Sequence, residues 1–389
     1  MATIDKTLPN TLSEEELLNQ GPIEQMLPEE TPMASEDVEV VNTEDGGAEV
    51  SFDPNAVEPP AEIAHNSNLA DYLDKSILTE LGITLSENYE EYRESRKDWE
   101  DTYRNGLDLL GFKYVKRTEP FRGASGVTHP VLAEAVTQFQ AQAYKELLPA
   151  EGPVRTQILG DITTEKQDQA NRVKDFMNYQ IMDQMKEYEP EFDQMLFYLP
   201  LSGSTFKKVY YDELLGRAVS KFIPADDLVV PYSATSLEDA EAVVHTFKIS
   251  KNDLRKQQVA GFYSDIELTD PAIREDEIKQ KEQEIEGVKQ TREDEMYTLL
   301  EFHTYLDIEG FENVDPTTGE PTGIKEPYVV TLEEQSGKVL AIRRNFVEGD
   351  IKKNKINYFV HFKFLPGMGF YGFGLIHMIG GLSRTATSA

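Results

Sequence analysis

The sequence predicts an α+β chain with helices first and strands after, and three observations predict it. Apolar residues recur every three, four or seven positions between residues 85 and 200, the period of helices buried on one face. From 205 to 365 most apolar runs alternate every second position or are short and β-branched. No internal repeat is present, and 389 residues suffice for two or three domains of ~100–200 residues each.

Residues 1–70 hold sixteen acids against one base, Lys6, with no sustained apolar period, so this segment reads as an acidic disordered arm. Tyr89, Tyr92, Trp99, Tyr103, Leu107 and Leu110 form the stripe of a first helix, which Gly111 ends. Pro130 opens a second helix through Val131, Leu132, Val136 and Phe139 to Leu147, and Pro149 stops it. A third starts near Thr164 and carries Val173, Phe176, Met177, Ile181 and Met185. Pro190 kinks or splits it, and Pro200 is its stop.

Residues 205–211 and 218–223 read as a hairpin turned through Gly216, with Leu228–Val230 a third short strand closed by Pro231. Residues 242–249 alternate as another strand, and Ser250 with Asp253 marks the capping box of a helix reaching about Ala260. Residues 272–294 are rich in Glu, Lys and Gln, with Ile278, Ile285 and Val288 as a thin apolar line. They predict a solvated or partner-facing helix outside the core. Strands are expected at 297–306, 328–332, 338–345 and 356–365, with a long turn-rich loop from Asp307 to Pro327.

Charge and composition exclude several functions. The formal net charge is −33, which argues against a sequence-independent binder of DNA or of anionic membranes. There is no cysteine, hence no disulfide framework, no Cys-ligated metal and no thiolate nucleophile. The first residues lack a basic region followed by an apolar run, so no secretory signal is read there. The longest apolar window, Phe373–Leu382, is too short for a membrane span and holds His377. The sign of the charge reverses at the end of the chain. After Asp350 there is no acid, only Lys352, Lys353, Lys355, Lys363 and Arg384.

Catalytic patterns mostly fail. Gly367-Met-Gly-Phe-Tyr-Gly372 fits G-x-G-x-x-G behind a strand, but no acid lies about 20 residues further on to hold a ribose. The segment therefore reads as a flexible glycine link between a strand and a helix. Gly106–Lys113 misses the P-loop because Phe112 separates Gly111 from Lys113. The six histidines show no metal-ligand spacing, and His245 and His303 read as structural members of strands. Asp307, Glu309 and Glu312 lie in a loop of an acid-rich chain and do not make a convincing metal site. Asp226-Asp227 after Pro224 reads as turn and cap chemistry. Gly203-Ser204 lacks the second glycine of a nucleophile elbow, since Phe206 stands there. The expectation is a chain without catalytic residues, cofactor or metal.

Three stretches carry a resemblance. They are Phe121-Arg-Gly-Ala-Ser-Gly126 with His129-Pro130-Val131-Leu132 and the helix ending Glu146-Leu-Leu-Pro149; Gly203 to Tyr211 followed by Ile223-Pro-Ala-Asp-Asp-Leu-Val-Val-Pro231 and Asp239-Ala-Glu241; and His361-Phe362 to Pro366 with Gly372-Phe-Gly374 and a helix behind. In order and spacing they resemble the portal (head-to-tail connector) proteins of tailed bacteriophages, especially short-tailed ones, over residues 85–389. The resemblance implies a ring, commonly of twelve copies, at one capsid vertex. Double-stranded DNA passes through it, driven by a terminase, while capsid protein or scaffold surrounds it and a tail adaptor attaches below. It implies a virion protein assembled in the host cytoplasm, with no membrane partner and no catalytic site.

On that pattern, 85–235 is expected to be a helical and β wing-like region, 236–294 a strand plus charged helices, 295–366 a β-rich, clip-like region, and 367–389 a Gly-rich link and the start of a stem or channel helix. The chain reads as truncated there, since a helix begins just before Ala389 and family members continue further. Lys352, Lys353, Lys355, Lys363 and Arg384 are the expected DNA-approaching residues. Two other readings stay open: a nucleic-acid enzyme such as a metal-dependent nuclease, and a non-portal phage adaptor or scaffold.

Overall fold

A computed structural model describes residues 38–42, 48–52, 63–113, 126–212, 215–271, 276–288, 296–315 and 318–388. The chain divides into two units, Met1–Ile63 and Ala64–Ala389. In the first, strands β1 (Val38–Asn42) and β2 (Ala48–Phe52) pair antiparallel with Val40 opposite Val50. This corrects the reading of residues 1–70 as wholly disordered: alternation over four or five residues is enough for a local pair, although such a hairpin is marginal alone. The other end of the predicted arm is also ordered. Asn68 is buried in the second unit, donating to Leu340 O (3.2 Å) and accepting from Ile342 N (2.9 Å), and Leu69 beside it is fully buried.

Among the described residues the larger unit has eight helices and two antiparallel sheets, an α+β fold. The first predicted helix is two, α1 (Lys75–Ser95) and α2 (Lys97–Leu107), broken at Arg96. Gly111 ends this layer in the left-handed region at φ 73°, which spares it the clash a Cβ would bring. Helix α3 (Val131–Leu147) begins after Pro130 as the sequence predicts. Helix α4 (Thr164–Tyr179) forms with Thr163 as its cap, but none of its residues is buried, and Val173, Phe176, Met177 and Tyr179 stand in solvent. A π-type turn at Gln180–Gln184 separates it from α5 (Tyr188–Ser202). The break therefore precedes Pro190, which sits in the first turn of α5, where backbone N–H groups have no intrahelical acceptor. Pro200 is inside α5 rather than its stop, and Gly203 closes the helix at φ 88°.

The sheets do not follow the sequence divisions. Strands β3 (Ser204–Asp212) and β4 (Arg217–Pro224) form the predicted hairpin, and β10 (Phe359–Lys363) adds to β3 with His361 opposite Phe206. The second sheet runs β5 (Leu228–Val229), β6 (Ala242–Ile249), β7 (Tyr297–Leu306), β8 (Glu326–Glu333), β9 (Val339–Arg344), all antiparallel. One sheet thus spans the expected wing-like, charged and clip-like segments. An apolar layer of Phe206, Ile223, Leu228, Val243, Phe359 and Phe370 joins β3, β4 and β10 to β5 and β6.

Helix α6 (Lys251–Val259) starts at the predicted cap, where Ser250 Oγ accepts from Asp253 N at 3.0 Å. Helix α7 (Glu277–Glu286) corrects the reading of 272–294 as a segment outside the core. Ile278 is 2% exposed among Tyr103, Leu107, Leu132 and Ile376, and Ile285 packs on the same cluster. These two apolar side chains are the part of the helix that joins the apolar cluster, and its polar face meets charged groups of neighbouring elements.

The glycine link is a packed crossing rather than a flexible tether. A Cβ on Gly374 would lie 2.3 Å from Leu201 O, and one on Gly203 would lie 2.4 Å from Gly374 N. Helix α8 (Leu375–Ser388) then runs into the helical core, with Ile376 buried against Gly106.

Candidate functional site

The densest chemistry surrounds the turn Ala225–Asp227 that carries the chain from β4 to β5. Arg96, placed by the break between α1 and α2 and only 6% exposed, reaches into it. Its guanidinium donates to Ala225 O (3.0 Å), Asp226 O (2.5 Å) and Leu228 O (2.8 Å), and to the Tyr371 hydroxyl (2.9 Å), while Nε donates to Glu100 (2.8 Å). A planar fork with five N–H groups is suited to satisfying several carbonyls that a turn leaves without partners. The Trp99 and Tyr371 rings stack on each other, 4.8 Å apart and nearly parallel, and the guanidinium lies beside the pair at 5.7 and 5.8 Å from the ring centres.

On the side chains of the same turn a second cluster forms. Lys279 of α7 lies 2.6 Å from Asp226, 3.4 Å from Asp227 and 3.9 Å from Glu282. Burial, and then the Asp226 charge, push Asp227 and Glu282 up to about 7, although Lys279 pulls the other way.

A third group links the sheets. Lys208 of β3 is paired with Glu301 of β7 at 2.6 Å, and His303 Nε2 approaches the same carboxylate at 2.6 Å. Burial opposes the charge on Glu301, but Lys208 and His303 hold its carboxyl well below the usual range. Burial, aided by Lys208, lowers His245 to about 3, so this imidazole is neutral at ordinary pH. The second and third groups both border a cleft of about 1240 Å³, with Tyr210, Phe247 and Tyr358 among the residues on its walls.

Ser204 Oγ lies 3.1 Å from His361 Nε2, yet it is fully buried and accepts from Gly372 N at 2.7 Å, which assigns it to the glycine crossing. Among the described residues no three His, Cys, Asp or Glu side chains are grouped to hold a metal ion.

The five predicted DNA-approaching residues are not gathered into one patch of like environment. Lys352 and Arg384 are exposed, the first in the turn before β10 and the second on α8. Lys353 turns inward to Glu326, and Lys355 donates to Ala240 O (2.9 Å) and Leu237 O (3.4 Å). Lys363 on β10 is half-buried with its ammonium 5.9 Å from the Phe370 ring.

The turn reading of Asp226-Asp227 holds for the backbone, a 3-10 turn, but misses the ion cluster on its side chains. Arg96 and Lys279 were legible only as charges interrupting an apolar stripe. Phe121 to Ser125 of the first resembling stretch lie outside the described residues. Compared with known protein families and with curated proteins, the chain matches none.

Proposed function

We propose that this chain is a portal subunit: a copy in a ring at one capsid vertex through which double-stranded DNA is packaged and ejected, and to which the tail attaches. The observation that carries the reading is that contacts join the described parts of the three resembling stretches. Gly203 touches Gly374 across the crossing, Gly372 N donates to Ser204 Oγ at 2.7 Å, and His129 N donates to Thr387 Oγ1 on α8 at 3.0 Å. Segments up to 258 positions apart thus form a single structural unit, as expected if the resemblance reflects one shared fold.

Two further features support it. A ring requires one face of each subunit to meet a different face of the next. Helix α4 offers Val173, Phe176 and Met177, and α8 offers Met378 and Leu382, two separate apolar stripes exposed on this chain. The acid excess also suits a wall that lets a polyanion pass, since every phosphate neutralised by Lys or Arg adds a hold that a motor must break. Within this reading Lys352 and Arg384, being exposed, are the candidates to approach DNA, and the partners are the neighbouring copies, a terminase, capsid protein or scaffold, and a tail adaptor. No helix among the described residues is long and apolar enough to cross a membrane.

Negative-stain imaging of the purified full chain tests the proposal. Closed rings with a channel wide enough for duplex DNA support it; monomers or open filaments overturn it. Cleavage of duplex by the same sample with Mg²⁺ would favour the nuclease reading instead.

A further inference from the structure

The Lys279 cluster has three carboxylates around one ammonium: Asp226 and Asp227 from the turn, and Glu282 one helical turn along α7. Fully ionised it would carry a net charge of minus two in a buried place. The geometry shows where donors are lacking. Asp226 Oδ1 and Glu282 Oε1 are both buried without a hydrogen-bond partner. A proton bound by a neighbouring carboxyl would supply the donor that such buried carboxylate oxygens lack.

We propose that α7 is held by a proton-dependent latch, docked while Asp227 and Glu282 carry protons and loosened when both are ionised around Lys279. This inference is independent of the assembly reading. Every element packed on α7 contributes to the balance. Helix α2 presents Tyr103 and Arg104 paired with Glu277, and the segment behind it presents Asp108 paired with Lys281 at 2.8 Å and Lys113 at 3.7 Å from Glu284. Helix α1 presents Arg93, 3.5 Å from Asp276, and α5 presents Tyr198, whose hydroxyl bonds Glu282. None of these outer pairs adds a cation to the three-carboxylate centre. The apolar hold on α7 is small, Ile278 and Ile285, so the charge state of the centre decides how firmly the helix is docked.

The direction follows from linkage. The Asp227 and Glu282 carboxyls titrate at about 7 in the folded chain, well above their unfolded values, so the folded state binds more protons between about pH 4 and 7. Their contribution to stability is present below the unfolded values and is lost as pH rises through 7.

Hydrogen exchange across residues 276–288 of the full chain, corrected for intrinsic rates and referenced to α3, tests the latch. Protection of α7 is expected to fall about tenfold or more between pH 6 and 8.5. In Asp227→Asn/Glu282→Gln it should stay high and flat, because Asp226 and Lys279 then balance. Emission of Trp99, the one tryptophan of the chain, should follow the same transition, and Asp226→Asn should move the midpoint to lower pH. Protection of α7 that does not change with pH in the wild type, or a fall that persists in the double variant, overturns the proposal.

Discussion

Arg96→Met tests whether the clamp on the Ala225–Leu228 turn is a main support of the fold. Methionine keeps most of the volume beside Trp99 and Tyr371 but removes every donor. Leu228 O keeps the Tyr371 hydroxyl at 3.1 Å, whereas Ala225 O and Asp226 O lose the guanidinium. Each buried carbonyl left without a donor costs about 1–3 kcal/mol. Loss of the cation beside the two rings adds about 0.5–2 kcal/mol. The expected destabilisation is therefore about 4 kcal/mol, a large share of the ~5–15 kcal/mol typical of a folded chain. Arg96→Lys keeps the charge but cannot span three carbonyls, and should lose about half as much. Urea unfolding at neutral pH, followed by circular dichroism and Trp99 emission, measures both. A loss below about 1 kcal/mol for Arg96→Met, less than one orphaned carbonyl accounts for, would refute the reasoning.

Three more outcomes are expected. Gly374→Ala drives a Cβ to 2.3 Å from Leu201 O and should cost ~3 kcal/mol or prevent folding, while Gly369→Ala, which meets nothing within 4 Å, should be near neutral in the same unfolding assay. Phe176→Ser with Met177→Ser should change monomer stability by less than ~0.5 kcal/mol, because the α4 stripe is exposed, but should weaken self-association in sedimentation. Glu301→Gln leaves Lys208 buried without its counter-ion and should cost about 3–5 kcal/mol at pH 7. Since the folded pKa of Glu301 is depressed, that deficit should shrink as pH falls below about 4, the unfolded value; a deficit constant down to pH 2 would contradict the pairing.

Local signals carried much of the architecture. The strand at 242–249, the hairpin about Gly216 and the helix from Val131 follow from alternation, turn chemistry and a proline at a helix start, all of which act over a few residues. What was illegible depends on partners distant in the chain. The α4 stripe has the period of a buried helix, yet among the described residues none of its side chains is buried. Helix α7 looks solvated because Lys279 and Glu282 meet Asp226 and Asp227 only in three dimensions. The break at Arg96 has no glycine or proline to announce it; the chain bends there so that the guanidinium can fill a turn 130 residues away. Strand β10 joins β3 instead of its sequence neighbours for the same reason, since register across 150 residues leaves no local mark.

The central claim is most directly tested by labelling this chain in intact phage particles. The portal reading predicts label at one vertex of each capsid, the vertex that bears the tail. Label spread over all vertices, or found only outside the head, would contradict it.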